Sequence, residues 1–153
     1  SLNVFETAHA IYESVVRPAM QREDTPFSGS IDSESLAIAT LFHDICKTKL
    51  YHKTERWKKD ETGRWVSYPG YELKEEFPFG HGEKSCIIIR WLMKLKQEEL
   101  LAIRWHMGMF ECGEYGSSTR ASYRKAMEKS PLVCLLQMAD MLSANCLEAT
   151  TTW

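Results

Sequence analysis

Leu41-Phe42-His43-Asp44-Ile45-Cys46-Lys47 sets an imidazole and a carboxylate side by side in the most apolar part of the chain. The segment around it, from Asp32 to Thr48, reads as one helix. Asp32 or Ser33 can cap its first amides, and Glu34 suits the positive end of its dipole. Leu36, Ala37, Ile38, Ala39, Leu41, Phe42 and Ile45 make it apolar on nearly all sides, which predicts a helix central to the fold. A carboxylate buried there without a partner costs on the order of several kcal/mol. A divalent cation answers that need, and so does a hydrogen-bonded His43–Asp44 pair with a salt bridge to Lys47. Imidazole and carboxylate together suit borderline or hard metals. Successive helical residues diverge by about 100°, so an ion shared by both must lie in a cleft beside the helix. Lys47 stands four residues beyond His43 and therefore on the same face.

Outward from this stretch the pattern is mostly helical, with one irregular insert. Leu2 to Met20 carries Phe5, Ala8, Tyr12, Val15, Val16 and Ala19 at helical spacing, with Pro18 as a kink or an end. Residues 21–31 read as a loop. Around 53–68, Trp57, Trp65, Val66 and Tyr68 flank Asp60-Glu61-Thr62-Gly63, which predicts a β-hairpin, and Tyr71 to Gly82 an irregular connection. Further helices are expected over Glu83 to Lys94, Gln97 to Met107 (ended by Gly108) and Ala121 to Lys129. Ser130-Pro131 marks the start of a last helix reaching about Ala149. The fold class is all-α with a small hairpin, and the 153 residues fit a single domain over 1–153.

Three more segments carry chemistry. His81 lies between Gly80 and Gly82, where glycine permits close approach of the backbone to a ligand; a turn histidine is the plainer alternative. His106 follows Ile103-Arg104-Trp105 at a helix end, where the dipole alone also favours histidine. Asp140, within Gln137-Met138-Ala139-Asp140-Met141-Leu142, is a second carboxylate in an apolar helix and again calls for a cation.

The order His43-Asp44, His81, His106, Asp140 on a helical chain resembles the HD superfamily of metal-dependent phosphohydrolases. Leu41 to Lys47 looks like its signature helix, and Met138-Ala139-Asp140-Met141-Leu142-Ser143-Ala144 like its last motif. The family pattern starts with a histidine, often followed by Ser-Leu. This chain opens Ser1-Leu2-Asn3-Val4, so the resemblance leads us to expect a longer protein with that histidine just before Ser1. His9, more than two turns into the first helix, is a poor substitute and reads as structural. The resemblance implies a helical bundle with metal between the helices. The five residues resemble most of the ligand set of the two-metal branch, with Asp44 bridging two ions, Asp140 and the histidine expected before Ser1 on one of them, and His81 and His106 on the other. The implied cofactors are divalent transition metals (Mn, Fe, Zn, Ni or Co, with Mg also admissible). The implied catalytic residues are Asp44 and Lys47, with Lys47 contacting a phosphate. Lys84, Arg120 and Arg124 are further candidate phosphate contacts, although each also reads as a solvated surface charge. The implied activity is phosphodiesterase or phosphatase chemistry on a nucleotide, a cyclic nucleotide, a short oligonucleotide or another small phosphate ester. A diiron oxygenase on the same ligand set and a degenerate nucleotide-binding sensor are the competing readings.

Composition narrows the partners. A net charge of −2 gives no global basic field for long nucleic acid. No apolar run approaches the roughly 20 residues of a membrane span, and the opening residues do not form a signal peptide, so a cytoplasmic location is expected. Five cysteines, an odd number with no two separated by only two residues, fit neither a zinc knuckle nor a disulfide framework. They read as reduced structural thiols.

Overall fold

The computed structural model describes residues 1–27, 29–75, 77–112 and 117–148. In chain order the elements are α1 (Leu2–Ile11), a π turn (Tyr12–Val16), α2 (Arg17–Met20), α3 (Ser33–Phe42) and a 3-10 turn (Ile45–Lys49). The hairpin strands β1 (Tyr51–Lys59) and β2 (Trp65–Leu73) follow. Next come α4 (His81–Arg90), α5 (Gln97–Trp105), a 3-10 turn (Gly108–Cys112), α6 (Ser117–Lys129), α7 (Pro131–Leu142) and a closing π turn (Ser143–Leu147). The chain is mostly helical with one two-stranded antiparallel sheet, as the sequence pattern predicts.

α5 is the hub. It packs against α3, α4 and α7, while α1 closes the far side on α3 and α7. The core runs through Leu36, Ile89, Ile103, Leu132, Val133, Leu135 and Leu136, all essentially without solvent contact. Removing such apolar surface from water is the main favourable term in the fold. α7 starts as expected: the Ser130 side chain accepts from the Leu132 amide, with Pro131 at the first helical position.

Several boundaries differ from the sequence reading, each for a local reason. The helix expected over Asp32 to Thr48 stops at Phe42. The chain then turns through His43 and Asp44 (φ −105°, ψ 16°) and continues as a 3-10 turn. That helix is also not buried all round, since Leu41 and Phe42 are exposed. The first helix reaches Met20 through a π turn, so Pro18 neither ends it nor loses a needed donor, standing in the first turn of α2. Val15 lies in that turn and points to solvent at 61 % exposure, although its spacing predicts a core position.

The hairpin is longer than 53–68, and residues 71–73 of the expected irregular connection belong to β2. Pro69 and Gly70 lie within β2, paired with Glu55 and Thr54. In a two-stranded sheet every strand is an edge, where a missing amide is tolerated. α4 begins at His81 and ends at Arg90 rather than Lys94, and α6 begins at Ser117 rather than Ala121. The last helix gives way to a π turn after Leu142. Its expected end at Ala149 lies outside the described residues, as do residues 113–116.

Candidate metal centre

Five of the residues singled out in the sequence meet in space, and each sits at or near the end of a helix. His43 is the C-terminal cap of α3, and Asp44 is the next residue. His81 opens α4, His106 caps the end of α5, and Asp140 lies in the last turn of α7. Gly82 makes this convergence possible. A Cβ there would fall 2.2 Å from the Arg104 carbonyl oxygen, so only glycine lets the start of α4 press against the end of α5. Gly108, at φ +56°, turns the chain away just after His106.

The two buried imidazoles are held by the same device. His43 Nδ1 lies 2.8 Å from the Thr40 carbonyl oxygen, and His106 Nδ1 lies 2.7 Å from the Ile103 carbonyl oxygen. A carbonyl only accepts, so Nδ1 carries the hydrogen on each ring, and Nε2 is the atom offered to the cluster. Each ring is 1 % exposed, and they meet edge-on with centroids 4.9 Å apart. His81, whose ring is 5.3 Å from that of His106, has Nε2 against Asp44 Oδ1 at 2.5 Å. Its Nδ1 faces Cys46 Sγ at 3.2 Å.

Asp44 is the centre of the arrangement. Its Oδ1 faces His81 Nε2 and, at 3.5 Å, His106 Nε2. Its Oδ2 faces His43 Nε2 at 3.5 Å and Lys47 Nζ at 2.6 Å. Asp140 Oδ1 lies 3.3 Å from His43 Nε2. Two groups result that are able to hold a metal ion: His43, His106 and Asp140; and Asp44, His81 and His106.

The donor chemistry fits a cation. Among the described residues His106 Nε2 is buried and makes no hydrogen bond, its lone pair facing Asp44 Oδ1 at 3.5 Å, an arrangement that costs free energy unless something accepts that lone pair. Imidazole nitrogens held by hydrogen bonds on their far side, beside carboxylates, are also what transition-metal sites use.

Without a metal the same crowding displaces the titrations. Burial would raise the Asp44 carboxyl, but His106, His43, His81 and Lys47 outweigh it and hold it well below the usual carboxylate range. Asp140 is lowered in the same way: burial opposes, and His43 prevails. Burial pulls His43 down, yet its contacts with Asp140 and Asp44 raise it to about 9. Asp44 first, then Cys46, raise His81 to about 9 against its burial. Burial would raise the Cys46 thiol, but His81 and Ser85 lower it.

The candidate phosphate contacts divide. Lys47 is at the centre, half-exposed and bound to Asp44. Lys84 is buried and ion-paired with Glu75 in the wall of a cavity of about 290 Å³, which Cys46, Leu50, Phe77 and Trp91 also line. Arg120 and Arg124 lie on the exposed side of α6, with Arg124 paired to Glu128, and neither has a described contact with the cluster. Cys46 is the participant the sequence reading passed over, taking it for a structural thiol. Its position two residues after Asp44 was the available signal. Free thiols are found at Cys46, Cys86, Cys134 and Cys146. Among the described residues, no single helix is long and apolar enough to cross a membrane.

The HD domain family model matches residues 1–145, and the chain belongs to the HD domain family. The resemblance read from the His43-Asp44 and Asp140 motifs is thereby borne out. No curated protein and no solved structure matches the chain.

Proposed function

We propose that this HD domain is a metal-dependent phosphohydrolase acting on a small phosphate ester of nucleotide type. The observation that carries the reading is the division of Asp44. One carboxylate oxygen is turned toward His43 and Lys47, the other toward His81 and His106. A carboxylate with an imidazole nitrogen beside each of its oxygens, His43 on one and His81 and His106 on the other, suits a pair of cations. Asp44, His81 and His106 would hold one ion, and His43 and Asp140 the other, with His106 also within reach of the second and an Asp44 oxygen beside His43. When bound, such cations supply Lewis acidity toward a phosphoryl oxygen and an attacking water.

The chain's own groups do the rest. The neighbouring imidazoles and Lys47 lower the Asp44 carboxyl, which favours the anion that a cation needs. The Thr40 and Ile103 carbonyls keep two imidazoles in the tautomer that leaves Nε2 available, and Cys46 orients His81. Lys47 Nζ, half-exposed beside Asp44, can turn to a substrate phosphate and balance its charge as the ester bond breaks.

The test is elemental analysis of the purified protein, combined with a screen of phosphomonoesters and phosphodiesters before and after chelation. We expect about two transition-metal ions per chain and turnover that chelation removes. An oxygen-sensitive mixed-valent iron signal without phosphoesterase activity would sink the hydrolase in favour of the oxygenase. Nucleotide binding with neither metal nor turnover would favour the sensor.

A further inference from the structure

The hairpin that leaves the metal centre carries a surface the fold does not use. Side chains alternate across a strand, so the register of β1 and β2 sorts them into two faces. One face presents Tyr51, Lys53, Glu55, Trp57 and Lys59 from β1, with Trp65, Ser67, Pro69, Tyr71 and Leu73 from β2. Its four aromatic rings are 51 % (Tyr51), 60 % (Trp57), 63 % (Trp65) and 56 % (Tyr71) exposed. Large aromatic side chains grouped in solvent to this extent mark an interaction surface.

Support of the hairpin itself does not account for them. Directly opposite the four rings stand Leu73, Ser67, Lys59 and Lys53, so no ring faces another ring. Among the described residues no ring–ring contact joins two of them. Two of the rings instead have a lysine as cross-strand partner, and Lys59 Nζ lies 5.6 Å from the Trp65 centroid.

The charge distribution indicates what the surface takes. Residues 51–74 carry six basic and four acidic side chains, net +2, on a chain of net −2, so the remainder is net −4. On the aromatic face Lys53 and Lys59 outnumber Glu55. The face also starts at the site: the Lys47 carbonyl accepts from the Leu50 amide at 3.2 Å, and Tyr51 follows at once. From there nine paired residues extend for about 30 Å.

We infer that this face binds a single-stranded oligonucleotide, its bases stacking on Trp57, Trp65, Tyr71 and Tyr51 and its phosphates meeting Lys53 and Lys59. Stacking platforms interleaved with cations are how single strands are held without reading sequence. The inference deepens the phosphoester reading: a strand lying along the hairpin leads one of its phosphodiesters toward Lys47. Binding itself needs no metal.

The experiment is fluorescence anisotropy with labelled oligothymidylate and oligouridylate of about eight nucleotides, within the usual site size of such surfaces. The full chain is used with chelator present. Single strands bind more tightly than the same sequence in a duplex. The double variant Trp57→Ala/Trp65→Ala loses at least about tenfold in affinity with an unchanged melting temperature. The double variant Lys53→Ala/Lys59→Ala lowers the salt dependence, by about 0.7 in log–log slope for each phosphate that a lysine no longer neutralises. Equal affinity in the tryptophan variant would overturn the inference. So would a self-association in wild-type protein, seen by sedimentation, that the same variant abolishes, because the face would then belong to a second copy. Hydrolysis of a small aryl phosphodiester by metal-loaded wild-type protein separates the two readings. Turnover without strand binding refutes only the hairpin inference, and strand binding without turnover refutes only the phosphohydrolase.

Discussion

Two carboxylate clusters lie at opposite ends of the α3–α5 pair, and they are built on opposite rules. At one end Glu99, 1 % exposed, accepts from Ser35 Oγ at 2.8 Å and from the Lys96 amide at 2.7 Å. Asp32 caps α3 nearby and pairs with Lys96. Each acceptor there meets a donor belonging to the protein. At the other end Asp44 and Asp140 face three imidazoles, and His106 Nε2 makes no hydrogen bond among the described residues. The first cluster ties helices together and is complete. The second is held in place from behind by Thr40, Ile103 and Cys46, with its lone pairs gathered inward. Buried charge alone does not separate a strut from a site; what separates them is whether the donors and acceptors balance.

The largest break in this comparison is Asp44→Ala, which removes the carboxylate that faces His43, His81 and His106 at once. Metal content falls to background, and turnover drops by at least about a thousandfold, as expected for residues that act as a unit. Elemental analysis with steady-state kinetics on the best ester from the screen measures both. Retained metal with retained turnover would refute the assignment. Glu99→Ala breaks the other cluster, removing the acceptor of the Lys96 amide and the nearer of the two carboxylate acceptors of the Ser35 hydroxyl. It should cost about 2–3 kcal/mol in denaturant unfolding while the metal stoichiometry stays at the wild-type value. Loss of metal in this variant would mean that the two clusters are not independent.

The smallest effect is one of pH, and it sharpens the contrast. His43 and His81 stand at about 9 in the metal-free chain, above the ordinary 6.5. Their contribution to stability is fully present below about pH 6.5 and is lost as pH rises through about 9. The melting temperature of chelated protein should therefore drift down by a few degrees over that window. Protons compete with a metal for the same nitrogens, so metal-loaded protein should hold level or rise over the same range. Identical profiles with and without metal would break the argument.

Much of this was legible in the sequence, for identifiable reasons. The helical class and the hairpin follow from periodicities that tertiary packing did not override. The carboxylates at 44 and 140 stood out because their surroundings are apolar. Glu99 did not, because an acidic residue in the first turn of a helix suits the dipole and reads as surface. Lys84 read as a candidate phosphate contact because its partner, Glu75, lies in a connection with no periodic signal. The helix end at Phe42 escaped because the residues beyond it remain apolar. At that end the His43 ring lies 2.8 Å from the Thr40 carbonyl oxygen, a side-chain contact that composition does not encode.

The bond from each imidazole Nδ1 to a carbonyl three residues earlier has a consequence for motion. The last turns of α3 and α5 are fastened by the rings of the candidate centre itself, so local opening there must swing His43 or His106 out of the cluster. A ligand on Nε2 would resist that swing. Filling the centre should therefore register far from any substrate, as slowed exchange of the backbone amide hydrogens in those two turns with solvent.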